Sequence, residues 1–173
     1  MRTLFYTFML LLSFLTSCSS PESIVTSPDG QIKLTFRLND NNQMTYQVTV
    51  NDSDFISPSV LGFEAKDGVN LSENFHITGV NFDSKDETWS QPWGENKSIR
   101  NHYNEMAILL ADNENTKLTL RFRVFDDGLG FRYEYEVPGT DSIFVMNELT
   151  SFNITKEGTS WSIPANYDTY ELL

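Results

Sequence analysis

Strict alternation of apolar and polar residues in four segments is the feature that most limits the fold. Residues 32–38 (IKLTFRL) and 44–50 (MTYQVTV) alternate at period two, as do residues 117–125 (KLTLRFRVF) and 129–137 (LGFRYEYEV). In an extended strand, this period places one set of side chains on each face, whereas a helix mixes them. The four segments therefore predict β-strands that are buried on one face and solvated on the other.

The short links within these two pairs predict hairpins. Residues 39–42 (NDNN) join the first pair and Asp126-Asp127-Gly128 joins the second, and these residue types tolerate the backbone angles of tight turns. No segment after the first twenty residues has a convincing helical period. Weaker strand candidates are residues 61–65, 75–82, 103–110, 143–145, 151–154 and 160–163. Many short strands separated by turns predict an all-β fold, an antiparallel sandwich.

The N-terminus has the features of a targeting signal. Arg2 precedes an uncharged apolar run of about a dozen residues, too short for a mature transmembrane helix, so residues 1–17 predict a signal peptide. The run ends in Leu15-Thr16-Ser17-Cys18, which resembles the bacterial lipobox, and Cys18 is the only cysteine of the chain. The alternative is an ordinary secretory leader with an incidental cysteine. We expect lipidation at Cys18 and a protein anchored to the bacterial cell envelope, in the periplasm or on the outer-membrane surface.

The Ser- and Pro-rich residues 18–26 predict a tether, with one folded domain from Ser27 to residue 173. The chain has 24 acidic and 12 basic residues, a net charge of −12. Because binding to phosphate backbones needs a basic face, nucleic acid is not an expected partner.

Common catalytic signals are absent from the sequence. It contains no Gly-x-Ser-x-Gly, no phosphate-binding glycine loop and no His-Glu-x-x-His. With only His76 and His102, and with the cysteine at the leader junction, a zinc site is not expected. His76 lies in an alternating run and is interpreted as structural.

The stretch from residue 88 to 105, TWSQPWGENKSIRNHYNE, is too polar for a core strand and too aromatic for an ordinary solvated loop. Trp89 and Trp93 could stack on sugar rings, and polar side chains on a loop held by a rigid sheet favour a binding function. The polar candidates for substrate or domain-interface contacts are Glu95, Arg100, Asn101, His102, Asn104 and Glu105.

A purely structural loop is the alternative interpretation of the same stretch. Trp89 and Trp93 would then fill the edge of the core, and Arg100 would pair with Glu95 or Glu105. The second hairpin is also interpreted as architecture, with Asp127-Gly128 and Gly130 in turn and bulge conformations. Its charged residues would form a solvated face with weak cross-strand pairs; they are Arg121, Arg123, Arg132, Glu134 and Glu136.

Taken together, several segments resemble the N-terminal domain of glycoside hydrolase family 97. They are SPDGQIKLTF, PSVLGFE, ETWSQPWGENKSIRNHYNE, FRVFDDGLGFRYEYEV, ELTSFNI and WSIPANYDTYE, and they cover nearly all of residues 27–171. QPWGE…IRNHYNE and FRVFDDGLGFRYE are the more specific motifs, because neither is a generic hairpin sequence.

The resemblance implies an antiparallel β-supersandwich, similar to the galactose-mutarotase fold, that precedes a (β/α)₈ barrel. The family includes calcium-dependent inverting α-glucosidases and retaining α-galactosidases, whose catalytic carboxylates lie on the barrel. The sequence stops before any barrel begins, which implies a C-terminally incomplete domain that is inactive alone. Its partners would be the catalytic barrel and an α-linked oligosaccharide, either a glucoside or a galactoside.

Glu171 matches a glutamate that the family's N-terminal domain can contribute to calcium at the domain interface. Calcium prefers carboxylate oxygens but needs several of them, so the ion is expected only together with the barrel. The stretch from residue 88 to 105 would then meet the barrel and help to wall the sugar site. The rival hypotheses are a free-standing glycan-binding lipoprotein module that uses Trp89 and Trp93, and a gene remnant that folds poorly.

Overall fold

The structure, a computed structural model, describes residues 23–66, 70–139 and 141–161. Within these ranges the strands form three antiparallel sheets, with the orders β1-β2-β3-β4, β10-β9-β8-β7 and β11-β5-β6. The strands are β1 (Ser23–Thr26), β2 (Ile32–Leu38), β3 (Met44–Val50), β4 (Ser53–Val60), β5 (Phe63–Ala65), β6 (Asn70–Leu71), β7 (His76–Ser90), β8 (Ser98–Ala111), β9 (Lys117–Val124), β10 (Leu129–Glu136) and β11 (Val145–Glu148). The predicted all-β antiparallel fold is confirmed. The described ranges contain no helix long and apolar enough to cross a bilayer.

The two hairpins with the strongest alternation are confirmed. β2 and β3 have the predicted bounds, and β9 and β10 each end one residue earlier than predicted. In the first turn, the Asn42 N–H donates to the Asn39 carbonyl oxygen at 2.8 Å, and Asn42 has a φ of 54°. Asparagine tolerates this left-handed conformation, which explains why an Asn-rich link reverses the chain here.

Three strands, β1, β4 and β6, lie where the sequence predicts no strand. β1 occupies residues 23–26, which were predicted to belong to a tether, and it pairs with β2 over four residues. Val25 is its one buried apolar side chain, and a single apolar residue produces no readable alternation. β4 was not predicted at all, because it contains Pro58 and pairs with β3 through register shifts that interrupt its period.

The two four-stranded sheets pack face to face around one apolar core. Leu34 and Phe36 of β2 are fully buried, as are Ile108 of β8 and Phe122 of β9. The Phe36 and Phe122 rings lie 6.2 Å apart across the interface, within the usual range for aromatic pairs. The inward face of each strand therefore carries the alternating apolar residues that the sequence predicts.

The two large sheets are offset sideways. β1 contacts β8 and β2 contacts β9, so β7 projects past the edge of the first sheet. Phe82 of β7 pairs in register with Met106, and Met106 is buried in the core. Paired residues share a face, yet Phe82 is 61% exposed. Ile77 and Val80 of β7 still pack against the core, which therefore ends before Phe82 on this strand.

Gly62 connects the first sheet to the third. Its N–H donates to the Tyr133 hydroxyl oxygen at 3.2 Å, and its carbonyl oxygen accepts the Leu149 N–H at 2.9 Å. Its φ is 136°, and a Cβ at this position would lie 2.8 Å from the Ser72 Cα. Burial raises the pKa of Tyr133, whose hydroxyl also bonds Thr150. Only glycine combines this backbone angle with this close approach.

Candidate functional site

The candidate residues lie on or at the base of a two-stranded extension of the second sheet, here called the arm (residues 85–103). The pairing of β8 with β9 ends at Asn104 and Val124, whereas β7 and β8 continue for six more pairs, from Lys85 with Tyr103 to Ser90 with Ser98. At about 3.4 Å per residue, these six pairs extend about 20 Å beyond the end of β9. The arm thus carries residues 88–103 away from the body of the sandwich, whereas Asn104 and Glu105 still pair with β9.

The arm corrects the interpretation of residues 88–105 as a loop. Apart from the connection at residues 91–97, the stretch is regular antiparallel strand. The predicted strands at residues 75–82 and 103–110 were therefore too short. The arm has no apolar face packed on a core, so its strands have no apolar–polar alternation from which the period could be recognised.

The arm tip exposes two tryptophans. Trp93 lies in the connection and is 83% exposed, and Trp89 lies opposite Ile99 near the end of β7 and is 49% exposed. The alternative in which both tryptophans fill the core edge is therefore wrong. The Gln91 side chain organises the connection by donating to the Asn96 carbonyl oxygen at 3.0 Å. Exposed aromatic rings on an ordered turn are typical of binding surfaces.

Strand alternation divides the predicted residues between two faces of the arm. Arg100, His102 and Asn104 lie on the face that continues the core side of the sheet, since they alternate with Met106. Asn101 and Glu105 lie on the opposite, outer face. The structure therefore brings the predicted residues onto one element but not into one cluster.

On the core-side face, Arg100 forms a bidentate ion pair with Asp86. Arg100 Nε and Nη2 lie 2.8 and 2.7 Å from the two carboxylate oxygens. The expected pairing of Arg100 with Glu95 or Glu105 is wrong, because the hairpin register places Asp86 on the same face as Arg100, next to its direct partner Thr88. The hydrogen bond from Arg100 lowers the pKa of Asp86, and the pair ties the two strands of the arm together.

The base of this face contacts the loops at the end of the sandwich. Asn104 Nδ2 donates to the Thr26 carbonyl oxygen at 2.9 Å, which links β8 to β1. His102 Nδ1 lies 3.7 Å from Asp126 Oδ2 and makes no hydrogen bond within the described part of the chain, although this nitrogen is buried. This contact lies between the arm and the β9–β10 turn.

The outer face of the arm has its own polar ladder. Glu87 accepts a hydrogen bond from Asn101 Nδ2 at 3.0 Å and lies 2.9 Å from Lys85 Nζ. The hydrogen bonds from Lys85 and Asn101 lower the pKa of Glu87. All three side chains are solvated, and such pairs each contribute little stability.

Glu105, at the base of the outer face, is the most enclosed charge of the described chain. The residue is only 6% exposed, and its two oxygens lie 2.5 Å from Arg121 Nη1 and 2.6 Å from Arg123 Nε. Burial alone would raise the pKa of Glu105, but the hydrogen bonds from Arg123 and Arg121 outweigh burial and lower it. Arg121 also pairs with Glu134, as the solvated-face interpretation of the second hairpin predicted.

Sequence reasoning missed the role of Tyr103. Its ring is nearly buried and lies 4.5 Å from the Arg123 guanidinium and 5.3 Å from the Phe125 ring. The signal was present, because Tyr103 and Glu105 alternate on one strand as Arg121 and Arg123 do on the next. Without the register between the strands, that signal could not be assigned.

Two predicted residues cannot be located. Cys18 and Glu171 both lie outside the described residues, as does the signal peptide. Among the residues that are described, no three or more His, Cys, Asp or Glu side chains form a group that could hold a metal ion. The described side chains therefore do not fit a calcium site by themselves.

The fold and sequence match one family of carbohydrate-active enzymes. The protein-family model described as Glycosyl-hydrolase 97 N-terminal matches residues 25–173. A retaining alpha-galactosidase of Bacteroides thetaiotaomicron is 26% identical over 164 residues, which cover 95% of this chain and 23% of the relative.

Solved structures give the same result. A Glycoside Hydrolase Family 97 enzyme from Pseudoalteromonas sp. strain K8, in complex with panose, is 34% identical with a TM-score of 0.72, and the match covers 77% of this chain and 20% of that one. Its complex with acarbose gives a TM-score of 0.73. A beta-arabinopyranosidase is 26% identical with a TM-score of 0.70, covering 76% of this chain and 21% of that one. The chain thus spans about a fifth of the length of these relatives.

Proposed function

Because the chain belongs to glycoside hydrolase family 97, through the family's N-terminal domain, we propose that it packs against a catalytic (β/α)₈ barrel and forms one wall of a sugar site. The barrel would be supplied in the same polypeptide or by a separate chain. The chemistry of glycoside cleavage belongs to carboxylates of that barrel. The role of the sandwich is to position side chains at the rim of the site.

The observation that supports this role is the arm. It extends about 20 Å beyond β9 and presents Trp89 and Trp93 at its tip, both more exposed than a folding role requires. Each ring offers a flat apolar face on which the C–H groups of a pyranose can stack, and nearby polar groups can bind hydroxyls. The family assignment favours this role over that of a free-standing glycan-binding module.

The proposed ligand is an α-linked oligosaccharide. Support comes from the relatives, because one family enzyme was solved with panose and with acarbose and another relative is described as an alpha-galactosidase. The linkage and the sugar would be selected by barrel residues, so the proposal names only the class of ligand.

Calcium enters the proposal only through Glu171. A glutamate suits a hard cation, but calcium takes six to eight oxygen ligands, as a rule. The remaining ligands would come from the barrel, and no step proposed for the sandwich depends on the ion.

We expect Trp93→Ala to weaken sugar binding by the isolated chain. The wild-type chain should bind panose weakly, with a Kd on the order of millimolar, because only one wall of the site is present. Loss of the stacking ring should weaken binding by at least about fivefold, a cost of roughly 1 kcal/mol. Isothermal titration with panose measures both proteins.

Trp161→Ala is the matched control. Trp161 is 94% exposed and lies outside the arm, so its loss should leave panose binding unchanged. Equal affinities for the wild-type and Trp93→Ala proteins, or no binding by the wild type at about 10 mM panose, would contradict the proposed wall.

We also propose that Cys18 carries the lipid that anchors the protein to the cell envelope. The support is the position of the only cysteine directly after Leu15-Thr16-Ser17, and multiple acyl chains give stable membrane attachment. In a bacterial host, Cys18→Ser should abolish incorporation of labelled palmitate and shift the protein out of the membrane fraction. Unchanged labelling of the variant would exclude this site of acylation.

A further inference from the structure

The arm joins the sandwich at the point where the sheet narrows from three strands to two. β9 ends at Val124, opposite Asn104, and beyond this pair β8 is bonded only to β7 among the described strands. A two-stranded ribbon is flexible in bending and twisting, and is marginally stable alone. The direction of the arm therefore depends on whatever fixes its first residues to the sheet.

Glu105 lies at this junction and connects its strand to the next one. It faces Arg123 directly in the β8–β9 register, and the carboxylate is held by Arg123 and Arg121 together. Arg121 continues to Glu134 on β10 through two hydrogen bonds of 3.1 and 3.3 Å. One carboxylate thereby connects three strands at the base of the arm.

The same carboxylate acts on the first residue pair of the arm. By holding Arg123 through Nε, Glu105 keeps the guanidinium 4.5 Å from the Tyr103 ring centre. Tyr103 is one half of the first arm pair, with Lys85, and its other neighbour is the Phe125 ring at 5.3 Å. A cation–π contact and an aromatic contact therefore fix the first arm residue from the side of β9.

We propose that Glu105 is a positioning residue that fixes the angle between the arm and the sandwich, and through it the place of Trp89 and Trp93. The effect of this orientation on a sugar site rests on the proposed function. The orientation itself is a property of the free domain, so it can be tested without sugar.

Spin-label distances measure the orientation directly. With Cys18→Ser removing the native thiol, labels at Lys97→Cys in the arm connection and Lys33→Cys on β2 report the distance from arm to body. We expect Glu105→Gln to widen the distance distribution about twofold, as for a segment that opens locally, and to speed amide exchange in residues 85–103 at least about tenfold relative to Leu120 and Phe122 of the core.

Glu134→Gln is the matched control. It removes the pairs of Glu134 with Arg121 and Arg132 but leaves both bonds of Glu105 intact. The distance distribution of this variant should stay as narrow as that of the wild type. Equal broadening in both variants would overturn the assignment to Glu105.

A second variant covers the case in which Glu105→Gln fails to fold. Tyr103→Leu removes the ring that Arg123 contacts without leaving a buried charge unpaired, and we expect the same broadening. An unchanged distribution in Tyr103→Leu, or amide exchange that rises equally in arm and core, would overturn the positioning role. Loss of panose binding in a variant whose arm distance is unchanged would mean that Trp89 and Trp93 are not positioned through the arm angle, and would overturn the positioning role at the sugar site.

Discussion

Replacing Gly62 with alanine should destabilise the domain by about 3 kcal/mol or more, the sum of a forbidden backbone angle and a steric clash. The φ of 136° is strained for any L side chain, and the new Cβ would lie 2.8 Å from both the Cα and the Cβ of Ser72. Because the nearest contact is backbone, a side-chain rotation cannot relieve it. A loss of this size is a large part of the roughly 5–15 kcal/mol typical of a domain, and chemical denaturation would measure it.

Two other glycines separate the contributions. Gly30 has a φ of 77°, and no atom lies within 4 Å of the position that an alanine Cβ would take, so Gly30→Ala should show the backbone cost alone, about 1 kcal/mol. Gly128 has neither feature, and Gly128→Ala should be nearly neutral. A Gly62→Ala protein as stable as Gly30→Ala would mean that the contact with Ser72 does not restrict position 62.

Phe122→Ala should cost about 3–5 kcal/mol, the usual range for an aromatic ring lost from a core. Phe122 is fully buried at the centre of β9, with the Phe36 ring 6.2 Å away and the Phe131 ring 5.8 Å away. Its neighbours belong to both sheets, so the cavity would lie at their interface and could not be filled by moving one strand. A lowered midpoint with an unchanged denaturant slope is the expected result.

Phe82→Ala is the control for the size of the ring. Phe82 lies on the same face of the sheet as Phe122, because both pair in register with Met106, but it lies on the part of β7 that projects past the core. Its loss should cost less than about 1 kcal/mol. An equal loss of unfolding free energy in Phe122→Ala and Phe82→Ala would contradict this explanation, in which the sideways offset of the sheets leaves Phe82 outside the core.

Strands could be predicted from the sequence where one strand face is buried and the other is exposed to solvent. β2, β3, β9 and β10 meet that condition, and their bounds follow from period two to within one residue. β1 and β4 do not, because each has few inward apolar residues and β4 has an interrupted register. These strands are stabilised by pairing with a neighbouring strand, and a local sequence pattern does not reveal that pairing.

The sequence singled out the stretch that holds the candidate site, but it did not predict how the residues are arranged there. The density of tryptophan and polar residues singled out residues 88–105, yet both faces of the arm are solvated, so the sequence could not assign Arg100 and Asn101 to opposite sides. The burial of Glu105 depends on Arg121 and Arg123, which follow it by more than ten residues. Only the register between β8 and β9 brings them together.

The arm also has an evolutionary consequence. Its ion pairs, such as Arg100 with Asp86 and Glu87 with Lys85, join residues within the same hairpin, and they contribute little to the packing of the two sheets. Substitutions in the arm between residues 85 and 102 can therefore accumulate at small cost in folding free energy, whereas substitutions at Glu105 or Phe122 cannot. If the arm tip contacts sugar as proposed, a lineage could reshape the tip for a new sugar and still keep the sandwich.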